Sequence, residues 1–115
     1  METQQRAVFV YTTYPSIVEA ERAGSALVER RLCACVNILP GMVSLYWWQG
    51  KVERGAEVVM IIKTRATLAD AVRMAVKAMH SYTTPAVLVL PIERVDPDYH
   101  AWLMAETEKS QQDTA

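Results

Sequence analysis

The 115-residue chain suits one domain and not two, and at that size it buries a core of modest dimensions. Its composition, 51% hydrophobic and 22% charged, is globular and excludes a disordered chain. A formal net charge of −1 and a pI near 6.1 exclude the basic excess of a general nucleic-acid or anionic-membrane binder, and no apolar run approaches the ~20 residues of a membrane-spanning helix.

The N-terminal stretch METQQRAVFVY holds an apolar run, Ala7 to Tyr11, too brief for a signal-peptide core, which predicts a cytoplasmic protein with reduced cysteines. Residues 7–12, AVFVYT, are β-branched and aromatic and predict a buried strand. TYPSIVEAERAGSALVERRL then turns helical. Ser16 and Glu19 have capping-box spacing, and Ile17, Ala20, Gly24, Leu27 and Val28 share one face.

Strand character returns at Cys33 and runs to Trp48 with a break at Pro40-Gly41. Gln49-Gly50 predicts a hairpin turn, and the return strand covers roughly Lys51 to Thr64. Its second half, VVMIIK, is continuously apolar, as in a strand buried on both faces. TLADAVRMAVKAMH predicts a second helix, with Thr67 as cap and Leu68, Val72, Ala75, Val76 and Met79 at helical spacing. Residues 87–92, VLVLPI, predict a fourth strand. Asp96-Pro97 opens a short third helix with an apolar stripe of Tyr99, Trp102 and Leu103. A polar tail from about Thr107 is expected to fray, leaving an ordered core of about residues 7–106 in a single domain, 1–115.

The order β-α-β-β-α-β plus a terminal helix predicts an α+β, ferredoxin-like sandwich: one antiparallel sheet with two helices on one face. Hairpin arms of this length reach on the order of 45–50 Å at ~3.3 Å per residue, beyond the ~35 Å diameter of a compact domain. The overhanging tip carries Leu45, Tyr46, Trp47 and Trp48. An isolated aromatic ribbon of two strands is marginal and prone to aggregate, so the length alone predicts an oligomer that buries it.

Both cysteines fall in RLCACVNI, one residue apart. In a continuous strand Cys33 and Cys35 share a face with Cβ atoms ~6.5–7 Å apart, too far for a disulfide. They read as two small buried thiols. Glycine-rich phosphate loops, paired-histidine zinc motifs and nucleophile elbows are absent. His100 reads as a surface residue. His80 closes the second helix, where an imidazole serves either the helix terminus or a metal.

The segment RLCACVNILPGMVSLYWWQGKVERGAEVVMIIKT, followed by HSYTTPAVLVLPI and DYHAWL, resembles the CutA divalent-cation tolerance family. The motifs that carry the likeness are Ala34 to Asn37, Ser44 to Lys51, Glu57 to Thr64, His80 to Pro85, and Tyr99 with Trp102. The resemblance implies a homotrimer similar in architecture to the nitrogen-regulatory PII proteins. It also implies an inter-subunit cleft lined by Trp48, Lys63, His80, Tyr82, Tyr99 and Trp102, with Glu57 nearby. The function it implies is tolerance of divalent metals, with copper or another divalent cation as cofactor and His80 as the metal-binding residue. The chain departs from the family at Ser81, Thr83 and Ala86, and at Tyr11, near the place where some copper-binding members carry a cysteine.

Two readings of the cleft residues stay open: a binding site for a metal or small anionic ligand, or interface packing in a structural or signalling trimer. Lys63, His80 and Glu57 are residue types that do acid–base work, but nothing in the sequence requires it, and no enzyme is expected. RNA-recognition domains share the element order, yet the return strand offers no aromatic platform, so neither nucleic acid nor membrane is an expected partner.

Overall fold

A computed structural model describes residues 6–113, with side chains up to residue 108. The ends of the expected 1–115 domain, residues 1–5 and 114–115, lie outside the described residues. The elements follow the predicted order: β1 (Ala7–Tyr14), α1 (Ile17–Glu29), β2 (Cys35–Trp48), β3 (Lys51–Arg65), a 3₁₀ turn (Ala66–Leu68), α2 (Ala69–Ala78), β4 (Val87–Pro91) and α3 (Pro97–Asp113). The four strands form one antiparallel sheet in the order β2-β3-β1-β4, the ferredoxin-like arrangement.

Alternation along the strands divides the side chains between two faces. Val10, Met60 and Ile62 join Ala20, Leu27, Val72 and Val76 of α1 and α2 in the buried core. Helix α1 approaches closely at Gly24, where an added Cβ would stand 2.9 Å from Val36 Cγ2 and 3.2 Å from Met60 Sδ. Phe9, Thr13, Glu57 and Lys63 alternate with those core residues and belong to the other face, on whose end α3 packs. Two arginines fasten α3: Arg65 donates to Thr107 Oγ1 (2.9 Å) and to the Met104 carbonyl (2.6 Å), and Arg31 pairs with Glu106.

Several expectations change in detail. Ser16 caps α1, accepting from the Glu19 N–H, but the Glu19 carboxylate accepts from Ser81 instead of completing a capping box. Thr67 caps nothing, because the 3₁₀ turn carries the chain into α2 with Leu68 at the cap position. Helix α3 is 17 residues long and runs to Asp113. Thr107, where fraying was expected, is buried. The Pro40-Gly41 break is a register shift in β2 between Leu39 and Met42, with Gly41 at a φ of 87°. The two cysteines do not share a face. Cys33 precedes β2 and is buried in the core, whereas Cys35 pairs across the strands with Lys63 on the other side.

The hairpin closes at Gln49 and Gly50, both at positive φ (50° and 80°), the two-residue turn that matches strand twist. It makes the molecule long: 46 × 28 × 21 Å, with a radius of gyration of 15.0 Å, against about 13 Å for a compact domain of this length. Leu45, Trp47, Trp48 and Val52 near the tip are 60–74% exposed.

Candidate functional site

The residues singled out in the sequence occupy three stations along one side of the hairpin. Lys51 pairs with Trp48 at the tip, Glu57 lies six residues further along β3, and Lys63 another six. At ~3.3 Å per residue each interval is about 20 Å, so a single protomer does not gather them into one cleft.

The middle station is a closed polar network. Glu57 Oε1 accepts from Ser44 Oγ (2.9 Å), and Oε2 accepts from Tyr82 Oη (3.0 Å) and Thr13 Oγ1 (3.3 Å). Burial, then the bond and charge of Glu57, push the Tyr82 phenol up to about 12, so it stays a donor. The His80 side chain is 0% exposed. Its ring stacks on Tyr14 (centroids 4.3 Å apart, planes 12° apart) and tilts against Tyr82 at 4.8 Å. Nε2 faces the Thr13 carbonyl at 2.6 Å, and Nδ1 accepts from the Tyr82 N–H at 3.1 Å. Glu19 Oε2 stands 3.9 Å from Nδ1, but that carboxylate accepts from the Ser81 N–H and Oγ at 2.9 Å each. Tyr14 is buried with its hydroxyl unpartnered, and burial, with Glu19 adding, pushes that phenol up to about 12.

The third station is cationic and aromatic. Lys63 Nζ lies 5.6 Å from the ring centroids of Phe9 and of Tyr99. Tyr99 Oη is 3.7 Å from Cys35 Sγ, and its ring tilts against Trp102 at 5.4 Å. Burial first, then Cys35, raises the Tyr99 phenol, while Lys63 pulls it down. Tyr99 and Trp102 remain 38% and 42% exposed.

As a metal centre the arrangement does not fit. Both nitrogens of His80 already have main-chain partners. Among the described residues no three of His, Cys, Asp and Glu group together as ligands, and structural zinc or copper normally requires several such donors. Grooves of about 400 Å³ between α1 and β2, and about 520 Å³ beside the start of α3, contain none of the expected site residues.

The sequence reading missed Thr13, Ser44, Glu19, Cys35 and Phe9 as partners in these networks. Ser44 sits within the motif Ser44 to Lys51 and was open to notice there. Glu19 had a local capping role that hid its distant one. Thr13 acts largely through a main-chain carbonyl, which any residue carries.

The model of a family described as the CutA1 divalent ion tolerance protein matches residues 8–106. A divalent-cation tolerance protein CutA from Archaeoglobus fulgidus is 50% identical over 95 residues, covering 83% of this chain and 92% of that one. A solved structure from that organism, described as a periplasmic divalent cation tolerance protein, superposes with a TM-score of 0.86 at 47% identity, over 89% of this chain and 99% of that one. CutA1 from Oryza sativa superposes with a TM-score of 0.88 at 42% identity, over 93% and 98%.

Proposed function

Since the chain belongs to the CutA1 divalent ion tolerance family, we propose that it acts in tolerance of divalent cations, copper among them, as a cytoplasmic homotrimer. In this reading a small-ligand cleft is completed where one subunit's hairpin tip meets its neighbours. The observation that carries it is the apolar ribbon: Val43, Leu45, Trp47 and Val52 fall on one side of the hairpin and are 52–74% exposed in the protomer. Such a surface calls for a partner. In this reading a second copy supplies the Trp48 that stands near Glu57 or Lys63, since the intervals of about 20 Å keep a chain's own Trp48 away from them. The free thiols of Cys33 and Cys35 fit a reducing compartment. The protein in this reading binds and does not catalyse.

The closed network around Glu57 favours a second reading for the middle station, in which those residues only pack and brace the interface. Light scattering with and without copper(II), followed by metal analysis of the purified protein and equilibrium dialysis against copper(II), separates these readings. The expected mass is that of three 12.9-kDa chains, with dialysis showing cation uptake by the trimer. A monomer overturns the proposal. A trimer that takes up no cation leaves the bracing reading in its place.

A further inference from the structure

The middle station assigns His80 its proton. A carbonyl oxygen only accepts, so the ring nitrogen facing Thr13 O at 2.6 Å, Nε2, must carry hydrogen. A main-chain N–H only donates, so Nδ1, 3.1 Å from the nitrogen of Tyr82, must be bare. The two contacts together select the neutral Nε2–H tautomer and leave no lone pair free. A cation at a zinc–nitrogen distance of ~2.0–2.1 Å would have to evict the Tyr82 N–H from Nδ1, or strip the Nε2 proton and displace the Thr13 carbonyl. The carboxylates on either side are already committed to protein donors, Glu19 to Ser81 and Glu57 to Ser44, Tyr82 and Thr13.

The same two bonds tie separate parts of the chain. The Thr13 carbonyl belongs to β1 just past its last pairing with β4, Thr12 with Val87. The Tyr82 N–H belongs to the loop after α2. With the ring held flat on Tyr14, this loop has one place to sit, and Tyr82 Oη reaches Glu57 from it.

We infer that His80 is a positioning residue: a neutral, tautomer-locked clamp that seats the Tyr82 loop on β1 and β3, and that divalent cations bind this protein without it. The inference rests on the cation binding proposed above, but not on the trimer or on the small-ligand cleft.

Nitrogen-15 NMR of histidine-labelled whole protein, titrated with zinc(II), tests it directly. The expected His80 spectrum shows one protonated and one bare ring nitrogen, the proton on Nε2, unchanged by excess zinc while dialysis of the same sample reads total zinc bound. Stoichiometric loss of that pattern, with a ring nitrogen moving to a metal-bound position, overturns the inference whatever the oligomeric state. A variant arm asks for the clamp itself. In H80A the exchange protection of the Tyr82 amide should fall at least tenfold and zinc bound per chain should stay the same, with H80Q restoring part of the protection. Unchanged protection in H80A, or zinc lost in both variants, counts against the clamp. Should H80A not fold, the wild-type spectra and H80Q decide.

Discussion

Glu57 draws hydroxyls from three segments, Thr13 on β1, Ser44 on β2 and Tyr82 in the loop after α2, so one carboxylate braces the root of the long hairpin. Charge-assisted bonds of this kind are the stronger ones, and they make ionisation of the donors unfavourable. Burial first, reinforced by Glu57 at Tyr82 and by the Glu19 charge at Tyr14, gives a pH dependence at the alkaline end. Tyr14 and Tyr82 are each raised from 10.0 to about 12 in the folded protein, so folding favours the neutral phenol. That contribution is complete below pH 10, the unfolded value, and is lost as pH rises through about 12. An absorbance titration should show these two phenols ionising late, and the urea midpoint should fall as pH climbs through that window. A Y82F variant should lose part of this alkaline slope while keeping that of Tyr14. A Tyr82 phenol that titrates near 10 would contradict the network, and a Tyr14 phenol that does so would contradict its burial. At this scale the sequence was a partial guide. It named Glu57, His80 and Tyr82 through motif likeness, and the structure brings these three together. It did not name Thr13, because what Thr13 offers His80 is a backbone carbonyl. It also put Cys33 and Cys35 on one face, because it extended β2 two residues too early.

Helix α1 was easy to place, since its apolar spacing and Ser16 cap are both local. Its C-terminus was not, because the residue that turns the chain is no glycine. Arg31 takes φ 61°, and the Leu32 N–H reaches back to the Leu27 carbonyl while the Arg31 N–H reaches Val28, a Schellman closure. An arginine holds this left-handed position with its side chain anchored on Glu106 of α3, a partner 75 residues away. The length of α3 escaped notice for the same reason: Thr107 is polar in the sequence, but Arg65 of β3 gives it a buried bond. Gly24 illustrates the opposite case, a residue whose local cost is set by a distant neighbour. Alanine favours a helix over glycine by about 1 kcal/mol, yet here its Cβ would stand 2.9 Å from Val36 Cγ2. Overpacking of that kind costs roughly 1–3 kcal/mol, so G24A should destabilise the protein by about 1 kcal/mol in chemical denaturation. In a V36A background, where the colliding methyl is gone, the same substitution should become neutral or stabilising. Equal effects in both backgrounds would mean that the contact does not govern the site.

The sheet and its two helices were legible from hydrophobic period and turn residues alone, and so was the mismatch between hairpin and domain, which the 46 Å long axis bears out. What period cannot supply is a distance between stations on the same strand. The family likeness implies an inter-subunit cleft for Trp48 and Lys63 with Glu57 nearby, and the strand rise puts about 20 Å between neighbours in that series within one chain. Assembly is therefore the variable on which any shared cleft depends, and the hairpin tip is where to perturb it. Leu45 and Val52 are 70% and 61% exposed and lie on the same side of the ribbon as Trp47, opposite to Trp48 and Glu57. Charges there leave the protomer's own core and its polar networks untouched. They would have to be desolvated in any interface that covers the ribbon, a cost of several kcal/mol per ion. The double substitution L45E and V52E should therefore keep the far-ultraviolet spectrum and the cooperative unfolding of a folded chain while sedimenting as a 12.9-kDa monomer. If the variant keeps the wild-type oligomeric mass, the ribbon is not the surface that assembles the protein. In that case any cleft shared between subunits would have to be completed through a different surface of the chain.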